Sequence, residues 1–277
     1  AQLGLNRISL GVQTFSQASF RTLGRIHSIA QSHEALQLLS NPGYAESRGW
    51  RGSWSADLMF GLPEQTLADL QADTRTLLAY GPPHVSIYGL ILENTTPFGK
   101  IYRSGQAPLP DEDTEADMYE WLLDELPHQG LADYEISNFA QAGHESRHNL
   151  AYWIGQKNYL GIGISAASLV AGQRFTNTAR LDHYLRNPVP DYARLMGRPL
   201  ENEKRYSEKL FLALRCDQGL SEAMLQDWER QRFINQHQAV LSKWTASGHL
   251  TYSDDLKTWR LTKRGKLLAS SIMAELV

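Results

Sequence analysis

The chain has 277 residues, of which 42% are apolar, and its 27 basic and 30 acidic side chains give a formal net charge of −3. This balance is typical of a globular protein with a buried core and does not favour a nucleic-acid partner. No uncharged apolar stretch reaches the roughly 18 residues of a membrane-spanning helix, and the single cysteine, Cys216, excludes an internal disulfide. The composition therefore predicts a cytoplasmic protein with no site built from several of its own thiolates.

Strand and helix patterns alternate along the first part of the chain. Short β-rich runs predict strands at residues 7–13, 54–60 and 84–92, the last apolar enough to be buried on both faces. Runs opened by capping residues predict helices at residues 16–25, 28–39 and 66–80, with a loop or insertion at 41–53. This alternation indicates parallel βα units and an α/β fold.

The pattern changes in the second half of the chain. An acidic start at residues 110–113 predicts a helix to about residue 125, and residues 134–139 predict a short strand or turn. Residues 159–170 are uncharged and rich in small side chains, which permit close approach to the backbone. The last predicted elements are helices at residues 204–215, 221–228 and 234–246, a hairpin at 250–262 and a helix at 263–276. This order is typical of a small winged-helix domain.

Polar residues in the predicted strands are the first candidates for a ligand site. Ligands gather at the carboxyl ends of parallel strands, where Gln13 ends the first strand. Asp57 interrupts an apolar strand, and a buried carboxylate there needs a cation, a hydroxyl or an amino group as partner. The alternative is a structural Asp57 that backbone amides or Arg25 satisfy, and the spacing alone leaves both interpretations open.

A second candidate is the segment 148–153 (HNLAYW), which places an imidazole, an amide, a phenol and an indole close together. A neutral His148 could ligate iron, and Tyr152 and Trp153 could form an aromatic wall for a planar ligand. The alternative is a local cap, with His148 bonded to a carbonyl and Trp153 in the core.

Several segments in order resemble one family. The segments 11–15 (GVQTF), 23–28 (LGRIHS) and 57–63 (DLMFGLP) are similar to radical S-adenosylmethionine proteins related to oxygen-independent coproporphyrinogen III oxidase. The segments 110–113 (PDED), 134–140 (YEISNFA), 147–153 (RHNLAYW) and 260–268 (RLTKRGKLL) resemble the HemW-type haem-chaperone branch of that family. The resemblance covers almost the whole chain.

The resemblance implies a fold and a division into domains. We expect the C-terminal part of a partial (β/α)6 radical S-adenosylmethionine barrel, with a family-specific extension, over residues 1–175. A small α+β, winged-helix-like domain should follow over residues 176–277.

The resemblance also implies two sets of binding residues. Contacts to S-adenosylmethionine fall on Gln13, Arg25 and Asp57, with the backbone near Ile91 and the segment 164–167, which ends at Ala167, close to the cofactor. The residues of the family's haem-associated HNxxYW motif are His148, Asn149, Tyr152 and Trp153.

The implied role is haem binding and delivery to acceptor proteins, membrane-associated cytochromes among them, by a chain that could act as a homodimer. The enzymatic alternative is oxidative decarboxylation of coproporphyrinogen III, and the HNxxYW motif favours the chaperone.

This sequence departs from the family pattern at four places, of which one is the segment 41–53, longer and more irregular than the usual link before the DLMFGLP strand. The CxxxCxxC triad that binds a [4Fe–4S] cluster is absent, so the 277 residues alone should not perform radical chemistry. Ala167 replaces a family histidine, and Ser146 replaces the cysteine that commonly precedes the RHN sequence. Because only three of about six core strands are present, we expect the native protein to have roughly 100 further N-terminal residues, at about 30 for each βα unit.

A nucleic-acid-binding module is the rival from another class. It depends on the predicted wing at residues 250–262 and on Lys263, Arg264 and Lys266. The presumptive recognition helix at residues 234–246 offers only Lys243 as a full positive charge, which argues against this rival.

Overall fold

The computed structural model describes residues 4–47, 52–93, 96–103, 109–154, 158–171, 173–186 and 202–276. The chain divides into two compact units, Ala1–Glu145 and Ser146–Val277. The division into domains at residues 175 and 176 stays a prediction.

The first unit contains a five-stranded sheet in the order β1-β2-β3-β5-β4. Its strands are β1 (Arg7–Gln13), β2 (Ser53–Phe60), β3 (His84–Gly89), β4 (Ala132–Asp133) and β5 (Asn138–Ala140). The first three strands are parallel, as the alternating pattern predicted, whereas β5 is antiparallel to both β3 and β4. Because neighbouring strands are in register, alternate residues form two distinct sheet faces.

The described residues of the first unit form six helices: α1 (Gln17–Thr22), α2 (Ile29–Ser40), α3 (Pro42–Ser47), α4 (Leu67–Leu78), α5 (Pro97–Arg103) and α6 (Glu112–His128). Side chains cap the starts of the longer helices: Ser28 caps α2, Thr66 caps α4 and Asp111 caps α6. Helix α3 forms inside the segment predicted as a loop. Helix α6 continues past the predicted end at residue 125, because the fully buried Leu126 packs its last turn into the core.

One face of the parallel strands forms the core of the first unit. Fully buried side chains on this face include Val12, Ala56, Leu58, Val85 and Ile87. Residues that alternate with them present polar groups on the opposite face. The prediction that β3 is buried on both faces was therefore wrong. The error arose because Ser86 and Tyr88 alternate with Val85 and Ile87 in a run that is apolar on average.

The second unit begins with α7 (Arg147–Trp153), the antiparallel pair β6 (Ala167–Val170) and β7 (Gln173–Thr176), and α8 (Leu181–Arg186). It continues with α9 (Asn202–Leu214), β8 (Leu220–Ser221), a 3₁₀ turn (Glu222–Met224), α10 (Asp227–Ala246), β9 (Leu250–Ser253), β10 (Thr258–Leu261), α11 (Lys263–Leu267) and α12 (Ala269–Leu276). The sheet order β8-β10-β9 and the long α10 before the hairpin give a winged-helix arrangement, as predicted.

Helix α10 corrects one detail of the prediction. The two helices expected at residues 221–228 and 234–246 are a 3₁₀ turn followed by one 20-residue helix. The helix begins at Asp227 because Glu229 bonds back to the backbone amide of Gln226 at 2.8 Å and pairs with Lys209 at 2.5 Å. No helix in the described segments is long and apolar enough to cross a membrane.

Candidate functional site

The polar face of the parallel sheet carries the Asp57 carboxylate. The strand register places Gly11, Asp57 and Ser86 side by side on β1, β2 and β3. The Ser9 hydroxyl donates to Asp57 Oδ1 at 3.0 Å, and Ser55 donates to the Ser9 oxygen at 3.0 Å. Hydroxyl groups of this chain therefore lie beside the carboxylate.

Burial raises the pKa of Asp57, although hydrogen bonds from Ser9 and Ser86 and the positive charge of Arg7 act in the opposite direction. The stabilisation from this chain's own groups is thus smaller than the desolvation penalty on the charged form. A ligand that brings an amino group or hydroxyl groups to this face would reduce that penalty.

Gln13 ends β1 in a backbone conformation that is rare for residues other than glycine, with φ of 74°. The pairing with β2 shifts register between Gly11 and Gln13, so the Gln13 side chain leaves the regular alternation. Its Oε1 accepts a hydrogen bond from the Tyr88 hydroxyl at 3.0 Å. A Cβ at Gly11 would lie 2.8 Å from Gln13 Nε2 and 3.5 Å from Arg25 Nη2. Glycine at position 11 therefore leaves room for both side chains.

A buried carboxylate on α4 fixes the backbone immediately after Gln13. Asp73 accepts hydrogen bonds from Thr14 Oγ1 at 2.6 Å and from the Phe15 amide at 2.9 Å. Thr14 Oγ1 in turn accepts from the Ser16 amide at 3.0 Å. This network over-determines the chain at the point where the strained Gln13 needs support.

Tyr88 connects the predicted S-adenosylmethionine residues of the first unit. Burial and the negative charge of Asp57 raise the pKa of Tyr88, while its hydrogen bond to Gln13 and the charge of Arg25 lower it. The structure therefore brings Gln13, Arg25 and Asp57 around one phenol that the sequence analysis missed. Its signal was available, since Tyr88 alternates with buried residues in β3.

The other two residues predicted near the cofactor are Ile91 and Ala167. Ile91 follows β3 and is 80% exposed. Ala167 belongs to the second unit, where it is the exposed first residue of β6. A Cβ at Gly161 would lie 2.3 Å from the Ala167 carbonyl oxygen, so the small residues of this segment do permit close backbone approach.

Helix α7 of the second unit carries the four predicted haem residues. The helix is capped by Ser146, which is buried and accepts a hydrogen bond from the Asn149 amide at 3.3 Å. His148 is exposed, and its ring meets Tyr152 edge to face at a centroid distance of 4.9 Å. Tyr152 in turn meets Tyr159 edge to face at 4.7 Å. The capped helix therefore orders a row of three rings.

A cavity of about 240 Å³ opens beside this row of rings. Its lining includes Tyr152, Trp153, Tyr159, Leu169, Arg174 and Glu208. Trp153 Nε1 is buried and has no hydrogen-bond partner among the described residues, and the Arg215 guanidinium lies 4.8 Å from the centroid of the Trp153 ring. His148 is not among the lining residues, so the structure divides the motif between the cavity and the surface beside it.

Two other predicted features lie outside these sites. Lys266, one of the three basic residues of the nucleic-acid interpretation, is buried and lies 3.4 Å from Asp217. Cys216 is also buried. Among the described residues no group of three or more His, Cys, Asp or Glu side chains could hold a metal ion.

Comparison with solved structures defines the class of fold. No family model matches the chain. A structure of coproporphyrinogen III oxidase (HemN) from Escherichia coli, described as a radical SAM enzyme, superposes with a TM-score of 0.75 at 20% identity. The superposition covers 99% of this chain and 64% of that structure, so the chain has the radical S-adenosylmethionine fold of HemN.

Sequence comparison defines the family more narrowly. The chain is 32% identical to the heme chaperone HemW of Bacillus subtilis over 277 residues, which cover 98% of this chain and 69% of that protein. It is 38% identical to the HemW of Lactococcus lactis over 220 residues, or 79% of this chain and 56% of that protein. The chain therefore belongs to the HemW family, and it spans between about half and two thirds of the length of these relatives.

Proposed function

We propose that this chain binds haem at the aromatic cavity beside α7 and passes it to acceptor proteins. The observation that carries the proposal is the position of Tyr152 and Trp153, two residues of the HNxxYW motif, in the cavity wall. The relatives named as heme chaperones support the same role. Membrane-associated cytochromes and a second copy of the chain remain the proposed partners.

The cavity fits one edge of a porphyrin. Its volume of about 240 Å³ is below the roughly 300–1,000 Å³ of sites that enclose a drug-sized ligand. A macrocycle would insert one edge between the aromatic side chains and leave the opposite edge outside, where an acceptor could reach it. Trp153 contributes its indole ring to the aromatic wall of the cavity.

His148 is the proposed iron ligand. Its exposed imidazole lies next to the Tyr152 ring at the wall of the cavity, and a neutral imidazole nitrogen is a common ligand of haem iron. Asn149 is proposed as a haem contact through its side-chain amide, since only its backbone amide takes part in the cap of α7.

We further propose that the polar face of the first unit binds S-adenosylmethionine. Asp57 suits the ligand's hydroxyl or amino groups, and the Arg25 guanidinium suits its carboxylate. The Gln13 amide, held by Tyr88, orients the ligand between them. Ile91, which follows β3 in the same unit, would contribute its backbone, and the contact of Ala167 stays a prediction from the resemblance. When bound beside a reduced iron–sulfur cluster, S-adenosylmethionine supplies a radical.

A [4Fe–4S] cluster does not fit the residues of this chain. The sequence holds one cysteine, and that thiol is buried in the second unit, whereas the family's cluster needs three thiolates. We derive no radical step for these residues, and coproporphyrinogen oxidation has only the likeness of fold in its favour.

Haem titration followed by absorption tests the proposed site. We expect saturable binding by the full chain, and a shifted absorption band when His148→Ala removes the ligand. His183→Ala is the matched control, since His183 is also an exposed histidine on a short helix of the second unit. Transfer from the loaded chain to an apocytochrome should then restore the cytochrome spectrum. Absence of saturable binding would contradict the proposed haem site. Equal spectra for His148→Ala and His183→Ala would contradict His148 as the iron ligand.

A further inference from the structure

One ion pair stands in the wall of the otherwise aromatic and aliphatic cavity. Arg174 on β7 and Glu208 on α9 both line the cavity, and Arg174 Nη2 lies 2.7 Å from Glu208 Oε1. The two elements therefore place the pair in the lining of the same cavity as Tyr152 and Trp153 of α7. The HNxxYW motif includes neither residue.

A ligand carboxylate could replace Glu208 as the partner of Arg174. The side chains of Arg174 and Glu208 are 36% and 28% exposed, and ion pairs with this much solvent contact are weak. A planar guanidinium has five N–H donors in a fork that matches a carboxylate, and the recorded pair uses Nη2. A carboxylate that entered the cavity could therefore bind the remaining donors or displace Glu208.

We infer that Arg174 anchors a carboxylate side chain of the tetrapyrrole ligand, and that Glu208 is its internal competitor. The inference rests on the proposed haem site and adds to it the class of ligand: a porphyrin that carries carboxylates on the edge inserted into the cavity. Glu208 makes the anchor reversible, because the guanidinium regains a partner when the ligand leaves. Rapid exchange of this kind suits a protein that releases its cargo.

The test compares haem with its dimethyl ester, which retains the macrocycle and iron but lacks both free carboxylates. Each is titrated into the wild-type full chain, Arg174→Gln and Glu208→Gln. We expect Arg174→Gln to weaken haem binding about tenfold and to leave ester binding unchanged, because only the free acid makes the charged hydrogen bonds. Glu208→Gln should strengthen haem binding severalfold, again without effect on the ester.

Arg180→Gln is the matched control. Arg180 forms a comparable surface pair with Asp182 at 2.8 Å in the same unit but does not line the cavity. It should leave both affinities unchanged. The expected differences for haem should also shrink as salt is added, since the exposed charges are screened.

The outcomes separate the two proposals. If the wild type binds neither porphyrin, the haem site and the anchor are both contradicted. If it binds haem and ester equally well and the variants follow the wild type, the haem site stands and the anchor is overturned. Equal losses for haem and ester in Arg174→Gln would reduce Arg174 to a structural residue. If Arg174→Gln does not fold, Glu208→Gln still tests the anchor: a gain in haem affinity supports it, and an unchanged haem affinity contradicts it.

Discussion

The polar face of the first unit and the aromatic cavity of the second unit are assembled in opposite ways. The polar face brings together Ser9, Gln13, Asp57 and Tyr88 from three strands, and each position depends on strand register. The motif residues in the cavity wall instead lie on one capped helix, α7, where they are neighbours in sequence, while other elements supply Leu169, Arg174 and Glu208. The polar face therefore fails when the sheet loosens, whereas the motif side chains keep their spacing on a single helix.

The largest effect is expected for Asp73, whose carboxylate on α4 holds the backbone that follows β1. Asp73→Ala removes the acceptor of Thr14 and of the Phe15 amide, and hydrogen bonds to a buried charged group contribute about 1.5–3 kcal/mol each. We expect the free energy of unfolding to fall by roughly 3 kcal/mol in chemical denaturation. Binding of S-adenosylmethionine should weaken as well, because the Gln13 backbone loses its support.

Asp69→Ala is the control on the same helix. Its carboxylate completes the exposed capping box of α4 and should cost only about 1 kcal/mol. Equal losses for the two variants would mean that Asp73 does not fix the end of β1.

A smaller effect concerns pH and the buried His84. Burial, assisted by the positive charges of Arg7 and His144, lowers the pKa of His84 to about 3. The folded state therefore binds fewer protons than the unfolded state below pH 6.5, and this contribution to stability is lost as the pH falls. The loss is about 1.6 kcal/mol between pH 6.5 and 5, because the unfolded-state histidine is half protonated at pH 6.5 and almost fully protonated at pH 5.

His84→Gln removes the titrating group and should flatten the dependence of unfolding free energy on pH in that interval. Tyr134, whose hydroxyl lies 2.8 Å from His84 Nε2, stays in place as a partner for the glutamine amide. An unchanged slope in His84→Gln would assign the acid sensitivity to other groups.

The smallest effect is expected for Gly11→Ala, which should weaken binding of S-adenosylmethionine with little change in the free energy of unfolding. Gly11→Ala places a Cβ against the Gln13 amide and should displace that flexible side chain at little cost to folding. We expect the affinity for S-adenosylmethionine to fall about tenfold, equal to about 1.4 kcal/mol, while haem affinity is unchanged. Gly43→Ala in α3, where a Cβ would make only an ordinary contact, is the control. Equal dissociation constants for the two variants would argue against Gln13 as a ligand contact.

The two regions also differ in how far the sequence predicts them. Hydrophobic alternation and the capping residues sufficed for the three parallel strands and for the helices α1, α2 and α4 between them, and the family resemblance marked the HNxxYW residues. Alternation in β3 places Tyr88 on the polar face, but its partner Gln13 follows only from the register between strands. Asp73 could not be predicted, because its partners Thr14 and Phe15 lie far from it in sequence. The Arg174–Glu208 pair was equally hidden, since β7 and α9 meet only in the folded unit.

Two errors have local physical causes. The sequence predicted two helices in place of the long α10 because the hydrophobic pattern at its start is weak. Burial of Glu229 and Phe233 against the rest of the unit keeps the helix continuous there. Helix α3 was missed because proline and glycine at its first positions, residues 42 and 43, are typical of loops, although proline is tolerated at a helix start.

The most direct test of the central claim is a haem titration of three variants of the full chain. Trp153→Leu removes the indole from the cavity wall, Trp228→Leu removes a partly exposed indole elsewhere in the second unit, and Asp57→Asn alters the polar face. The account predicts that Trp153→Leu weakens haem binding at least about tenfold while the other two bind as the wild type does. Wild-type affinity in Trp153→Leu, or loss of haem binding in Asp57→Asn, would contradict a haem site carried by α7.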